Sequence, residues 1–457
     1  MKVGIFSPSL VPGDAMSNDT VAMYRILKTQ GIDTYIFSNH STIPLLSIHH
    51  PYEAVSALTE PDDVLIYQHG CGYYNALLVL NGLRCRKIVK YHNVTPAEFF
   101  YDNPIALSSC QEGIKQTHVL LRTIPEFWVA SEFSGIDLTR MGKARYSIIP
   151  PFHQIQDLVE SSEDKPLYDR SKFNVVMVGR VVPHKNIEAG LEMITKYKKS
   201  YNSAIRLIVV GSLDFDIHIK RLKNQISCLD LDENVYLVGK VSIPQLKAIY
   251  KNSDAMLITS RHEGFCVPLV EAMAFGLPVI SNTETALPYT GGDAVIYVPE
   301  YEHQLGADSL HSLRTDSEYA GRYRKKALMR YQNHFTNTMI EKRFLDLLFF
   351  PSVKNEIPMR SPHYTEPHVT LVQLIHQLEK EADQKRGHNT KNKFALLGSY
   401  LNLKKIYRRL CFGDEIAQET VKMVNRLLIS QVNDYCDVVS ELQQLKNEIQ
   451  ELKSSKS

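Results

Sequence analysis

Residues 255–276 read AMLITSRHEGFCVPLVEAMAFG, and this stretch has the form of a strand, a tight turn and a helix. The apolar run at 255–260 has the length of a buried strand. Gly264 permits a tight turn, Pro268 suits the first turn of a helix, and Gly276 is a stop signal. A strand that leads directly into a helix is typical of sheets with parallel strands.

The same alternation of short apolar runs and helix-like segments occurs in two blocks of the chain. Strands of the first block are predicted at 2–8, 34–39, 63–69, 87–93 and 126–132. Strands of the second block are predicted at 173–179, 204–211, 234–239, 255–260, 278–282 and 294–299. A helix is predicted at about 18–30, closed by Gly31. Pro150 and Pro151 cannot continue a central strand, so we expect a hinge there and two α/β domains, residues 1–150 and 151–350.

Length and composition are those of a globular protein with more than one domain. The chain has 457 residues, of which 44% are apolar and 22% charged, and its formal net charge of +2 gives no global attraction to nucleic acid. The seven cysteines are scattered and odd in number, which favours a reducing, cytoplasmic compartment. The amino terminus, MKVGIFSPSL, lacks the apolar core of a signal peptide, and no long apolar run occurs. We expect any membrane contact to be peripheral, at the inner face.

Two cations follow the predicted strand at 173–179. The segment GRVVPHKN places Arg180 and Lys185 just after Gly179. Ligands of open parallel sheets bind beyond the carboxyl ends of the strands. An Arg that bonds in a fork and a Lys that acts as a point charge suit a diphosphate. A solvated loop with two ordinary surface charges is an equally good interpretation of this segment taken alone.

Two glutamates flank the start of the helix that follows Gly264. The helix terminus at about 265–267 offers unpaired N–H groups and the positive end of the helix dipole to an anion. Glu263 lies just before this terminus, and Glu271 lies about one turn into the helix. Both carboxylates can accept hydrogen bonds from sugar hydroxyls, although an exposed helix face is the ordinary position of a glutamate.

Taken together, the two segments resemble the retaining glycosyltransferases of family 4, which have the GT-B fold of two Rossmann-like parallel-sheet domains facing a cleft. The resemblance covers about residues 1–350 and is strongest at 173–282. It is carried by Gly179, Arg180, Lys185, Asn186, Glu263, Gly264, Phe265, Pro268, Glu271, Ala272, Gly276, Pro278 and Val279. It implies an amino-terminal acceptor domain and a carboxyl-terminal domain that binds a nucleotide-sugar donor.

The resemblance implies transfer of a sugar from a UDP-, GDP- or ADP-sugar to an acceptor hydroxyl, with the anomeric configuration retained and no cofactor or metal. Arg180 and Lys185 are implied to hold the diphosphate, Glu271 the ribose and Glu263 the donor sugar. The backbone contacts with the donor are implied to come from Gly264, Phe265, Cys266 and Val267. The leaving phosphate is expected to help remove the acceptor proton, so catalysis rests on position and charge. Surface polysaccharide or glycolipid synthesis is the commonest setting of such enzymes.

The amino-terminal half carries less specific signals. His92 and Asn93 follow a predicted strand, and the resemblance implies that His92 contacts the donor sugar or orients the acceptor, which adds it to the catalytic group of Arg180, Lys185 and Glu263. A structural role is as common for a lone histidine at the end of a strand. Gly13 precedes a helix whose terminus can approach the phosphates, but many relatives have a second glycine where this chain has Asp14. An acceptor role of this loop is equally open, and His69 is a further candidate for the same cleft.

Two rival functions remain open at this stage. A nucleotide-dependent dehydrogenase requires G-x-G-x-x-G after a strand, and the segment at 70–75, GCGYYN, lacks the last glycine. A non-catalytic GT-B protein that assembles partners through its tail is the second rival, against which the charged residues named above argue. The D-x-D sequences at 214–216 and 230–232 are predicted to be surface acids.

Beyond residue 350 the pattern changes. Prolines at 351–367 predict a linker, and a helix is predicted at about 369–386. The basic segment at 391–410 fits either a helix on anionic lipid or a helix packed on a partner. Heptad spacing over about 414–453 predicts a coiled coil, hence a homo-oligomer or a partner helix. The expected small-molecule partners are a nucleotide sugar and a saccharide or lipid-linked acceptor.

Overall fold

The computed structural model describes residues 1–350 except 43–48, 59, 74, 163–164, 166–167 and 202–203. The described residues belong to one compact unit, Met1–Ile357. No helix among them is long and apolar enough to cross a bilayer. The predicted linker, the basic segment and the coiled coil lie outside the described residues.

The first sheet is built by the chain up to residue 148, and its strands are all parallel. The elements are β1 (Lys2–Phe6), β2 (Ser9–Leu10), α1 (Ala15–Thr29), β3 (Asp33–Phe37), β4 (His40–Ser41), β5 (His49–His50), β6 (Val64–His69), α2 (Ala76–Gly82), β7 (Arg86–Tyr91), α3 (Pro104–Thr123), β8 (Glu126–Val129), α4 (Glu132–Met141) and β9 (Tyr146–Ile148), with 3-10 turns at Tyr52–Ala57 and Ala97–Phe100. The strand order is β5-β3-β1-β6-β7-β8-β9, while β2 and β4 pair separately.

The second sheet follows and is also parallel, with the order β12-β11-β10-β13-β14-β15. Its elements are α5 (Ile155–Glu160), β10 (Phe173–Val178), α6 (Ile187–Tyr201), β11 (Ile205–Val210), α7 (Asp216–Cys228), β12 (Val235–Gly239), α8 (Ile243–Asn252), β13 (Ala255–Ile258), α9 (Val267–Ala274), β14 (Val279–Ser281), α10 (Leu287–Gly291), β15 (Val295–Tyr297), α11 (His303–Thr315), α12 (Ser317–His334) and α13 (Asn337–Phe349), with 3-10 turns at Pro183–Lys185 and Gly292–Ala294.

Every strand predicted from the sequence is present in the described chain. The first helix, α1, begins earlier than the predicted residue 18, because Asp14 caps it and accepts the backbone N–H of Ser17 at 3.0 Å. The additional strands β2, β4, β5 and β9 have only two or three residues each. A strand this short has no readable alternation, so the sequence does not mark it.

The last described helix returns to the first sheet. Phe344 of α13 lies edge-on to Trp128 of β8, with ring centroids 5.8 Å apart, and it shares a core with Val3 of β1. The sequence analysis assigned residues 151–350 to the second domain and did not predict that α13 packs on the first sheet. The apolar face of α13 predicts that the helix is buried, but it does not say against which core.

Two glycines bring the carboxyl ends of β10 and β11 together. Gly179 and Gly211 have φ angles of +146° and +148°, which favour glycine. A Cβ on Gly211 would lie 1.8 Å from the carbonyl oxygen of Gly179. Only a residue without a side chain fits there, and the loop after β10 starts from this close approach.

Candidate functional site

Arg180 and Lys185 lie together beyond the carboxyl end of β10. Lys185 folds back toward Gly179, so that its Cε would be 3.6 Å from a Cβ on that glycine. Arg180 is exposed, and its guanidinium forms no hydrogen bond or ion pair with any residue that the structure describes. The guanidinium is therefore available to a ligand at this edge of the sheet.

Lys185 and Glu263 form the central ion pair of the site. The Nζ of Lys185 lies 2.5 Å from Oε1 of Glu263, and the side chains are 18% and 10% exposed. Burial alone would lower the pKa of the Lys185 ammonium, but the neighbouring Glu263 carboxylate raises that pKa above its usual value. Lys185 is thus a fixed positive charge at neutral pH, and a carboxylate accompanies it.

Two threonines hold the backbone around this ion pair. Thr259 donates its hydroxyl to the carbonyl oxygen of Lys185 at 3.1 Å, which joins the loop after β10 to the end of β13. The hydroxyl oxygen of Thr285 accepts the N–H of Glu263 at 2.8 Å. Thr285 has a φ of +52°, which is rare for a β-branched residue, and such outliers cluster at functional sites. Neither threonine is predicted from the sequence, because no sequence pattern marks a side chain that supports a distant loop.

The helix start predicted at about 265–267 is observed. Helix α9 begins at Val267 with Pro268 in its first turn, and Cys266 before it has a φ of +74°. Phe265 and Cys266 are buried, and the ring of Phe265 packs edge-on against Phe335 at 5.5 Å. The ring of Phe265 is therefore part of the core, whereas Cys266 lines a pocket. Burial also raises the pKa of the Cys266 thiol well above its usual value, so the thiol is not a nucleophile at neutral pH.

Glu271 lies about one turn into α9 and is held by Tyr250 of α8. The Tyr250 hydroxyl donates to Oε2 of Glu271 at 2.6 Å, while Oε1 has no partner among the described residues. Burial raises the pKa of the Glu271 carboxyl, and the Tyr250 hydroxyl offsets part of that rise. Tyr250 is absent from the sequence prediction. The amphipathic spacing of α8 places Tyr250 on the buried face of that helix. A buried tyrosine requires a hydrogen-bond partner for its hydroxyl, so this spacing is the sequence signal from which a role of Tyr250 could have been predicted.

A pocket opens between the carboxyl ends of β10 and β13. Its wall includes Gly179, Arg180, Lys185, Glu263 and Cys266. The structure thus brings together the two halves of the pattern that the sequence analysis joined. Glu271 lies farther along α9, outside the lining of this pocket. The acids of the two D-x-D sequences are exposed on the surface, as predicted: Asp214, Asp216, Asp230 and Asp232.

His92 lies where the first sheet meets the start of α9. A Cβ on Gly264 would lie 2.6 Å from the carbonyl oxygen of His92, so the two backbones touch. Ser131 and Ser134, at the start of α4, donate their hydroxyls to the carbonyl oxygen of Gly264 at 2.7 and 3.1 Å. The Nε2 of His92 hydrogen-bonds to the amide oxygen of Gln68. Burial lowers the pKa of His92 to about 4, so its ring is neutral at pH 7.

The other candidates of the first half occupy different environments. Gly13 is exposed, with a φ of +78° and open space around it. The Asp14 carboxylate caps α1 through Ser17, which turns it toward its own helix. Asn93 has a φ of +64° and donates its amide to Asp137 at 3.1 Å. His69 is fully buried and bonds to a threonine of α3, so it does not line a cleft and the prediction for it is wrong. A strand-end position alone does not tell whether a side chain points outward.

A second bridge joins the two sheets near Lys185. The ring of Phe100 lies 5.7 Å from that of His184 and 5.9 Å from that of Phe215. Asp102 and Arg221 form an exposed ion pair at 2.5 Å beside these rings. Burial, followed by the charge on the neighbouring lysine, lowers the pKa of His184 to about 2. These aromatic contacts lie next to Lys185 in the chain, and the sequence does not predict them.

Comparison with protein families gives a match in the second half of the described chain. Residues 160–330 match the family model "Glycosyl transferases group 1". Over these residues the chain is similar to the group 1 glycosyl transferases. The matched region contains Arg180, Lys185, Glu263 and Glu271, and therefore all the charged residues that the sequence analysis assigned to the donor side.

Curated relatives match over part of their length. The chain is 34% identical over 103 residues to the O-antigen chain mannosyltransferase RfbU of Salmonella typhimurium, covering 22% of this chain and 28% of that protein. It is 29% identical over 144 residues to the GDP-mannose:cellobiosyl-diphosphopolyprenol alpha-mannosyltransferase of Xanthomonas oryzae, covering 31% and 37%. The chain thus spans less than half the length of these two relatives.

Solved structures match the described fold over a larger share. A glycosyltransferase from Rickettsia africae superposes with a TM-score of 0.60 at 15% identity, covering 76% of this chain and 98% of that one. Anabaena Alr3699/HepE in complex with UDP-glucose gives 0.59 at 19% identity, covering 76% and 99%. WaaG, a glycosyltransferase involved in lipopolysaccharide biosynthesis, gives 0.59 at 14% identity, again covering 76% and 99%. These likenesses confirm the predicted GT-B fold.

Proposed function

We propose that the protein transfers a sugar from a nucleotide diphosphate donor to an acceptor hydroxyl and retains the anomeric configuration. The observation that carries this proposal is the convergence of Arg180, Lys185, Glu263 and the start of α9 on one pocket at the carboxyl ends of β10 and β13. Two cations and the positive end of a helix meet there, and a dianionic diphosphate requires that arrangement.

The diphosphate is bound by Lys185 as a point charge, by Arg180 through its free guanidinium and by the backbone N–H groups at the start of α9. These groups also stabilise the negative charge that develops on the departing phosphate, so they contribute to catalysis as well as to binding. Because these positive groups match the charge of the leaving group, we propose that no divalent metal is required. Equal turnover with EDTA and with added Mg²⁺ is the expected result.

The two glutamates accept hydrogen bonds from hydroxyls. Oε1 of Glu271 is open and binds the nucleotide ribose, while Oε2 remains with Tyr250. Glu263 is anchored beside Lys185 at 2.5 Å and contacts the donor sugar. The two carboxylates do not act as an acid–base couple, because Glu271 has a different partner and lies outside the pocket. We propose that the leaving phosphate accepts the proton of the attacking hydroxyl, on the face of the sugar that it leaves.

The acceptor and the surroundings of the enzyme are proposed by analogy with the relatives. Their names refer to O-antigen, to capsular polysaccharide and to amylovoran biosynthesis. We therefore propose a saccharide or a lipid-linked saccharide as acceptor, at the inner face of a membrane, and an oligomer formed through the predicted coiled coil at 414–453. Truncation after residue 410 should lower the number of subunits per assembly in solution, and an unchanged oligomeric state would remove the coiled-coil proposal.

The donor experiment combines turnover and thermal unfolding. The full chain is incubated with UDP-glucose, GDP-mannose and ADP-glucose, and the release of nucleotide is measured with and without a saccharide acceptor. A bound donor should raise the melting temperature by mass action. Glu271→Ala should remove most of this shift, whereas Glu318→Ala, on the surface of α12, should keep it. Neither turnover nor a shift with any donor would favour a non-catalytic binding protein. The anomeric coupling in the NMR spectrum of the product tests retention.

A further inference from the structure

We propose that Gln68, held by Asp19 and Lys90, is a positioning residue that fixes the ring of His92 with Nε2 protonated and Nδ1 open to accept a hydrogen bond from a hydroxyl of the bound saccharide. The identity of the ligand as a saccharide rests on the proposed function. The orientation and tautomer of the ring rest on the contacts of the first sheet alone.

Asp19 and Lys90 form an ion pair that is completely enclosed. Asp19 is on α1 and Lys90 on β7; Nζ and Oδ1 are 2.7 Å apart, and both side chains are 0% exposed. The same Oδ1 accepts the N–H of Phe152, directly after the two prolines that join the sheets, at 2.8 Å. Both charges are therefore satisfied, and the carboxylate of Asp19 cannot move without losing three partners.

The third partner of Asp19 is the amide of Gln68 on β6. Its Nε2 donates to Oδ2 of Asp19 at 3.1 Å, and its oxygen Oε1 faces Nε2 of His92. An ionised carboxylate only accepts hydrogen bonds, so the amide nitrogen must be the group on its side. The amide oxygen then faces the histidine, and an oxygen requires a donor. The Nε2 of His92 must therefore carry the proton, and the contact of Gln68 with Asp19 determines the tautomer of His92 through one amide.

Nδ1 of neutral His92 consequently presents a lone pair. No described residue bonds to it, and the side chain of His92 is 13% exposed beside Gly264. The charged and titratable groups that face the ring are Asp14 and Asp19 from α1, Lys90 from β7 and His69 from β6. Burial disfavours the imidazolium most strongly and Lys90 adds to this effect, while the Asp19 and Asp14 carboxylates oppose it, and the pKa of His92 remains low. A neutral ring with an open acceptor is suited to accept a hydrogen bond from a sugar hydroxyl.

Stability alone does not account for this arrangement. A buried ion pair contributes little more than a well-packed apolar pair of the same volume. Here the pair is connected through one amide to the histidine that touches the start of the α9 loop. The first sheet thus determines the state of a side chain at the contact with the second sheet.

The tautomer can be measured without any substrate. Protein labelled with ¹⁵N at histidine is recorded in long-range ¹H–¹⁵N spectra at neutral pH, and His92 is assigned by its absence in His92→Gln. The expected result is a protonated Nε2 and an unprotonated Nδ1. An Nδ1-protonated ring, or an imidazolium, would overturn the proposal.

Gln68→Met removes the amide but leaves the ion pair, so it should release the tautomer and populate the Nδ1-protonated ring. Thr117→Val is the matched control: it removes one hydrogen bond from the neighbouring His69 and should leave the His92 signals unchanged. An unchanged His92 tautomer in Gln68→Met would show that the amide does not position the ring.

Kinetics separate this proposal from the proposed function. With the donor found in the screen, Gln68→Met should lower kcat about tenfold with a smaller change in KM, and Thr117→Val should not. Equal kcat in wild type and Gln68→Met would overturn the hydroxyl contact, although the transferase function would stand. The expected tautomer without turnover by any donor would leave the positioning intact and remove the proposed function.

Discussion

Each half of the molecule places a buried lysine–carboxylate pair near the carboxyl end of a parallel sheet, and the two pairs differ in their access to the site. Lys185 and Glu263, in the second half, are 18% and 10% exposed and line a pocket. Lys90 and Asp19, in the first half, are 0% exposed and bond only to the protein. The first arrangement can exchange a partner for a ligand, whereas the second cannot.

In the proposed function, similar residues serve recognition in one sheet and positioning in the other. In the second half the loop after β10 and the start of α9 bring charges outward, because glycines and an αL residue turn the chain at the strand ends. In the first half the strands β6 and β7 carry their polar side chains inward to α1. We therefore propose that a ligand meets charge from one side and an oriented neutral ring from the other. The predictions below separate these two roles.

Lys90→Met should have the largest effect. It leaves Asp19 as a buried charge without its counter-ion, which costs about 3–5 kcal/mol in the free energy of unfolding. Urea unfolding followed by circular dichroism measures this change. Lys342→Met is the control, since Lys342 is 80% exposed and its pair with Asp346 is worth less than about 0.5 kcal/mol. A Lys90→Met protein as stable as the control would mean that the first pair is not the structural one.

Lys185→Met should act on turnover rather than on stability. The variant loses the point charge beside the departing phosphate, so kcat/KM for the donor should fall by about 10²–10³-fold, as for other groups that stabilise a developing anion. Its unfolding free energy should change much less than that of Lys90→Met. Initial rates across donor concentrations give kcat/KM, and Lys342→Met again serves as control. A Lys185→Met protein that is strongly destabilised but has normal turnover would show that the pair of Lys185 and Glu263 is structural, contrary to this comparison.

Acid should destabilise the first half through its neutral histidines. The pKa of His69 and of His92 is about 4 in the fold, because burial disfavours the imidazolium, and about 6.5 in the unfolded chain. Between these values the unfolded chain binds more protons, so this stability is present above about pH 6.5 and is lost toward about pH 4. The loss is about 1.4 kcal/mol per pH unit for each histidine. Urea unfolding from about pH 7 to about pH 5 should show the unfolding free energy falling with pH. His92→Gln should reduce this pH dependence by the amount that corresponds to about one bound proton.

Tyr250→Phe should have the smallest effect, and it tests the proposed role of Glu271 in binding the ribose. Without the hydroxyl, the Glu271 carboxylate loses a hydrogen bond that lowers its pKa, so ribose binding should weaken about fivefold, and more below neutral pH. Titration calorimetry with UDP and GDP measures this change. Tyr197→Phe is a matched control, because Tyr197 is fully buried and its hydroxyl has no hydrogen-bond partner in the described chain. Equal affinities of the two variants for UDP and GDP would contradict the proposal that Glu271 binds the ribose.

The donor half could be predicted in detail because its signals are local. The glycine turn and the two cations follow one strand, and Glu263 and Glu271 lie on either side of one helix start, so backbone geometry alone brings them to the same edge. Their supports could not be predicted in this way. Thr285 reaches Glu263 from a distant loop at 2.8 Å, and Tyr250 reaches Glu271 from another helix at 2.6 Å.

The first half was less predictable for a related reason. His69 and His92 both end or follow a strand, yet the fold buries one against α3 and leaves the other at the contact with Gly264. Side chains at the end of a strand alternate between the two faces, and the sequence does not show which face a helix covers.

Residue types and their spacing along the chain were enough to identify two parallel α/β sheets, a cationic loop and a helix start flanked by glutamates, and the resemblance of this pattern to a known family implied the GT-B class. These features arise within single strand–turn–helix units, where short-range geometry decides. Only the tertiary structure decided that α13 returns to the first sheet, that Asp19 meets Lys90 and Gln68, and that His92 touches Gly264. Each of these contacts joins residues far apart in the chain, and the packing of whole elements determines them.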